Sequence, residues 1–150
     1  MSTAIESPPQ VSYETTLLVR DHCFCLHAQR AARAMARRFD EALRPTSITS
    51  GQFSLLMSLN RPKPPTLGSV AGLLAMDRTT LTANLKPLEK RGLLTVAPDP
   101  DDRRARLLCL TQEGHSVLAD AVPIWHATQD AIEAALADPS ALRAGLNALA

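Results

Sequence analysis

Asp77-Arg78-Thr79-Thr80-Leu81-Thr82-Ala83-Asn84-Leu85-Lys86-Pro87-Leu88-Glu89-Lys90-Arg91-Gly92 decides the reading of this chain. Asp77 can cap a helix, and Gly92 can end it. Between them Leu81, Leu85 and Leu88 fall at i, i+4 and i+7 and form one apolar stripe. Thr79, Thr82, Ala83 and Lys86 repeat the spacing on the opposite face, which is small or polar and carries one cation. Pro87 should weaken or kink the last turn. Downstream, Leu93 to Ala97 and Arg106 to Leu110 read as short strands joined by Pro98 to Ala105, a tip crowded with Asp99, Asp101, Asp102, Arg103 and Arg104. A basic helix followed by a basic hairpin can place the helix in a DNA major groove and the hairpin in the neighbouring minor groove. The pattern predicts a winged helix-turn-helix.

Upstream, Thr66 can cap a short helix with Leu67, Val70, Ala71 and Leu74 at helical spacing. Arg61-Pro62-Lys63-Pro64-Pro65 reads as a stiff loop. Before it, Thr49 or Ser50 caps a helix through Leu59 with Phe53, Leu56 and Met57 inward. Glu14 to Leu43 reads as one long helix without Gly or Pro, ended by Arg44-Pro45. Thr111 caps a long helix to about Ala137, which Pro123 should kink. Leu142, Leu146 and Leu149 mark a final short helix. The expected fold is mainly α with a small β-hairpin wing, a winged helix-turn-helix core flanked by N- and C-terminal dimerisation helices. The domain reading is a disordered tail at 1–12, a dimerisation and effector helix at 13–47, the DNA-binding domain at 48–111, and C-terminal dimerisation helices at 112–150. The two outer apolar helices would expose a large surface unless a second subunit covered it. A symmetric dimer would also present two recognition helices to a palindromic site.

Composition agrees with this organisation. The chain has 150 residues, enough for one compact unit. A net charge of +1 hides an asymmetry: residues 61–106 carry nine basic and five acidic groups, residues 107–150 one basic and five acidic. Positive charge gathered on one segment is expected of a phosphate-binding surface, although a solvated polar face would carry it too. No apolar run is long enough to span a membrane. Met1 to Gln10 lacks the charged and apolar regions of a signal peptide. Three cysteines without such a signal point to free thiols in a reducing cytoplasm. No Gly-rich phosphate loop, convincing metal motif or nucleophile beside a base is present, so an enzyme is not expected.

Three segments together carry a family resemblance. They are Leu73-Leu74-Ala75-Met76-Asp77-Arg78-Thr79-Thr80-Leu81-Thr82, Leu88-Glu89-Lys90-Arg91-Gly92-Leu93-Leu94, and Asp99-Pro100-Asp101-Asp102-Arg103-Arg104 followed by Leu110-Thr111-Gln112-Glu113-Gly114. The chain resembles the MarR family of bacterial winged-helix transcriptional regulators from Cys23 to Trp125. The resemblance implies a cytoplasmic homodimer, without a cofactor, that binds a palindromic operator on double-stranded DNA through helix 77–90 and wing 98–105. It also implies regulation, in the sense of a repressor, relieved by a small organic ligand. Arg78, Thr79, Thr82 and Lys86 would face the major groove, Arg103 a phosphate, and Asp102 would orient Arg104 into the minor groove. Ala83 stands where many relatives carry a larger polar or basic residue.

The signal sensed is left open by the sequence. A small aromatic acid could lie between the first helix and the DNA-binding lobe, with Arg30 or Arg33 on its carboxylate and Phe24, Phe53, Met57 and Trp125 as walls. Alternatively, Cys23-Phe24-Cys25-Leu26 resembles the segment around the peroxide-reactive cysteine of the organic-hydroperoxide-sensing branch, Cys23 matching that cysteine. His27 and Phe53 stand where that branch is expected to carry tyrosines. Cys25 could resolve a sulfenic acid only with local unwinding or a partner chain, because residues two apart in a helix point apart. A metal is a third alternative, since Cys23 with His27, and His22 with Cys25, share helix faces. Packing is the fourth reading for these thiols and for Cys109.

Overall fold

The computed structural model describes residues 9–149, so the tail expected at 1–12 lies mostly outside the described residues. Contacts divide the chain into two compact units, with the boundary after Met35.

In the first unit, α1 (Tyr13–His22) is capped by Ser12, whose side chain accepts the Thr15 N–H. α2 (Phe24–Leu43) follows and runs on through the boundary. The single helix expected over Glu14 to Leu43 is therefore two, and the stretch 13–47 holds both plus one 3₁₀ turn at Arg44–Thr46. The break is at Cys23, which has φ −76° and ψ 104°. Cys23 closes α1 through its N–H to the Val19 carbonyl, and opens α2 by accepting the His27 N–H on its own carbonyl. Its Sγ accepts the Leu26 N–H at 3.4 Å. A thiol thus takes the position that a Ser or Asp oxygen fills at an ordinary N-cap, with a weaker acceptor.

The second unit holds the core. α3 (Ser50–Leu59) opens on a reciprocal cap between Thr49 and Gln52. Phe53, Leu55, Leu56 and Leu59 of α3 are buried; Met57, expected inward, is exposed. α4 (Leu67–Leu73) is capped by Thr66, and α5 (Arg78–Lys90) by Asp77. The turn between α4 and α5 forces Ala75 to φ +50°. α5 buries Leu81, Leu85 and Leu88, the stripe read from the sequence, and stays helical through Pro87. β1 (Leu94–Pro98) pairs antiparallel with β2 (Arg106–Leu110), Leu94 opposite Leu110 and Pro98 opposite Arg106. Cys109 is half-buried in β2.

α6 (Gln112–Glu133) is capped by Thr111 and contains Pro123; it ends four residues short of the expected Ala137. Thr111 also donates its hydroxyl to the Gly92 carbonyl at 2.6 Å. Gly114 lies so close to the strand entry that a Cβ there would collide with the Leu93 carbonyl oxygen. Gly92 itself sits at φ +72°, where a side chain is disfavoured. These contacts fix the angle at which the hairpin leaves α5 and returns into α6. α7 (Pro139–Leu149) buries none of its residues.

Candidate nucleic-acid interface

The outer face of α5 is built by elimination. With the leucine stripe in the core, Arg78, Thr79, Thr82, Ala83 and Lys86 are left facing solvent, and together they line one shallow concavity of about 340 Å³. The Asp77 carboxylate accepts the Thr80 hydroxyl at 2.6 Å and the Thr80 N–H at 2.8 Å. These bonds, the hydroxyl first, hold its carboxyl below the usual range. Thr80 is thereby committed to the cap. Thr82 donates its hydroxyl to the Arg78 carbonyl at 2.7 Å. With its donor so engaged, the exposed side chain keeps a methyl and an acceptor lone pair, groups suited to a thymine methyl or a base amino group.

The wing tip is shaped by its aspartates. Asp99 accepts the Asp101 N–H, and Asp102 the Arg104 N–H, each at 2.9 Å. The resemblance implies that Asp102 orients Arg104 toward the minor groove; its carboxylate accepts the Arg104 backbone N–H, a bond that shapes the turn on which Arg104 is carried. Arg103 and Arg104 are exposed. Among the described residues, Arg78, Lys86, Arg103, Arg104 and Arg106 form no ion pair, so their charges are not already compensated.

Helix and wing meet in a second concavity. A cleft of about 360 Å³ is lined by Gly68 of α4, Arg78 of α5, Asp102 and Arg104 of the wing and Arg106 of β2. Arg78 borders both hollows. The structure therefore brings Arg78, Thr79, Thr82 and Lys86 together, and Arg78 with Asp102 and Arg104. Arg103 lines neither hollow. Gly68 and Arg106 are not singled out by sequence reasoning. The signal available was the charge of Arg106, two residues beyond Arg104.

The effector candidates separate by unit. Cys23 is half-buried, while Cys25, Phe24 and Arg30 are exposed in the first unit. Gln29 donates to the Cys25 thiol at 3.2 Å and accepts from Arg33 at 3.2 Å. In the second unit Phe53 is a core residue, stacked on the half-buried Trp125 at 6.3 Å between ring centroids. Among the described residues no group of three or more His, Cys, Asp or Glu side chains gathers as metal ligands. Among the same residues, no helix is long and apolar enough to cross a membrane.

Comparison with known proteins agrees with this geometry. The family model described as MarR family matches residues 48–105. The organic hydroperoxide resistance transcriptional regulator of Bacillus subtilis is 32% identical over 102 residues, covering 68% of each chain. The Mycobacterium tuberculosis transcriptional regulator MosR, solved in complex with DNA, is 34% identical at a TM-score of 0.80, covering 85% of this chain and 93% of that one. BpsR of Bordetella bronchiseptica, whose DNA binding is regulated by 6-hydroxynicotinic acid, is 26% identical at a TM-score of 0.72, covering 85% and 91%.

Proposed function

The chain belongs to the MarR family of winged helix-turn-helix transcriptional regulators, DNA-binding proteins and not enzymes, and from that premise we propose a homodimeric repressor of a palindromic operator. The observation that carries this reading is the uncompensated cationic strip from Lys86 through Arg78 to Arg104, which joins helix and wing on one side of the second unit. Arg78, Thr79, Thr82 and Lys86 read the major groove, Arg104 enters the minor groove, Arg103 meets a phosphate, and Asp102 holds the turn. Release by a small aromatic acid is the mode of control, supported by the likeness to BpsR.

A specific observation favours a second reading, in which a thiol is the switch. Cys23 is itself out of helical geometry at the break between α1 and α2, so a bridge to Cys25 would need only the first turn of α2 to unwind. The Cys23 thiol would attack the outer oxygen of an organic hydroperoxide, giving a sulfenic acid and an alcohol. The Cys25 thiol would then displace water to form a disulfide. That bridge would take Sγ away from the Leu26 N–H and so uncap α2. The likeness to the hydroperoxide resistance regulator supports it.

Binding of the reduced protein to fragments upstream of its own gene tests both. Sequence-specific binding, lost with an aromatic acid and indifferent to cumene hydroperoxide, supports the ligand reading. Loss with hydroperoxide, reversed by thiol reductant and abolished by Cys23→Ser, supports the switch. Absence of any DNA binding would reject the regulator.

A further inference from the structure

A protein with a helix in one groove and a wing in the next must straddle the phosphate ridge between them. The wing-base cleft lies between the helix and the wing, on the line such a ridge would follow. Arg78 borders it from the helix side, Arg104 and Arg106 from the wing. Three guanidiniums face one carboxylate there, and Asp102 is occupied by the Arg104 N–H. None of the three arginines is in an ion pair among the described residues. Like charges gathered without counter-ions repel one another and favour an anion. The cleft is open to solvent, which suits a polymer backbone laid across it.

Gly68 adds a steric argument. A Cβ at this position would stand 3.2 Å from Arg78 Nη2 and 3.9 Å from Cζ. The missing side chain lets the Arg78 guanidinium lie against the first turn of α4, beside the cleft, without the shift of a few tenths of an ångström that a Cβ would impose. We propose that this cleft seats the DNA backbone phosphate between the two grooves, with Arg106 as a direct phosphate contact and Gly68 as the residue that positions Arg78. The inference rests on the DNA-binding reading and adds two residues to it.

The test uses the full chain with sonicated genomic DNA and follows affinity by anisotropy over a range of salt. Arg106→Ala should weaken binding several-fold and lower the slope of log K against log salt by about 0.9, one phosphate neutralised less. Arg106→Lys should keep the slope. Gly68→Ala should weaken binding by up to about twofold in the wild-type background, as the guanidinium is displaced, and have no effect on Arg78→Ala. Thermal melting of each variant checks that the fold is kept. An unchanged slope for Arg106→Ala, beside a reduced slope for Lys86→Ala, would overturn the cleft and leave the regulator standing. Equal effects of Gly68→Ala with and without Arg78 would overturn the positioning role. A wild-type chain that ignores DNA would overturn both readings together.

Discussion

Arg104 carries the sharpest expectation about a single side chain. It is exposed, unpaired among the described residues and held out on a turn fixed by Asp102. Arg104→Ala should cost about 1–3 kcal/mol of DNA affinity, measured against an A/T-flanked duplex. Asp102→Ala should cost part of the same energy by loosening the turn, although its carboxylate touches no guanidinium. Asp77 gives a pH expectation. Its carboxyl is held below its ordinary value by Thr80, so its stabilising contribution is complete above the usual carboxylate range. That contribution is lost as pH falls through the lowered value. Asp77→Ala should lower the melting temperature at neutral pH and flatten its fall on acidification. Lys86 was legible from sequence because a cation placed opposite a buried leucine stripe must face solvent or an anionic partner, and Arg78 and Arg104 because they stand at a helix start and in a polar hairpin tip, where a guanidinium stays exposed. The backbone bond from Arg104 to Asp102 was not legible, since it depends on how the turn closes.

At the scale of elements, the capping residues carried most of the information. Thr49, Thr66, Asp77 and Thr111 each cap the helix the sequence assigns them, because a short polar side chain before an apolar period has one favoured use. The break at Cys23 is silent in the sequence for the opposite reason. No Gly or Pro marks it, and a cysteine is a poor predictor of a cap. The sequence also hid why Leu110-Thr111-Gln112-Glu113-Gly114 is built as it is. Gly114 has no room for a Cβ beside the Leu93 carbonyl, and Thr111 ties α6 back to Gly92. Gly114→Ala should destabilise the fold by about 1–3 kcal/mol through overpacking against fixed backbone. Gly72→Ala in α4, with open space around it, should be harmless or slightly stabilising in thermal melts. Equal melting temperatures for the two variants would contradict this account of the wing entry.

Over the whole molecule, uncovered apolar surface is the dominant feature of the outer helices. α1 buries none of its residues, and Leu18 and Val19 are exposed upon it. α2 buries only Leu43, leaving Met35 and Phe24 open. On α7, Leu142, Leu146 and Leu149 are all exposed. The proposed second copy would cover these faces. Leu142→Asp with Leu146→Asp should halve the mass seen by light scattering and remove the rise of melting temperature with protein concentration. A wild-type monomer at micromolar concentration would contradict the dimer. The central claim, however, is that the α5 and wing surface binds DNA. Its most direct test is the affinity of the Arg78→Ala, Lys86→Ala, Arg104→Ala triple variant for duplex DNA, beside wild type and with the fold checked by circular dichroism. The account predicts a folded protein whose DNA binding is lost at physiological salt. A folded triple variant that binds as tightly as wild type would contradict it.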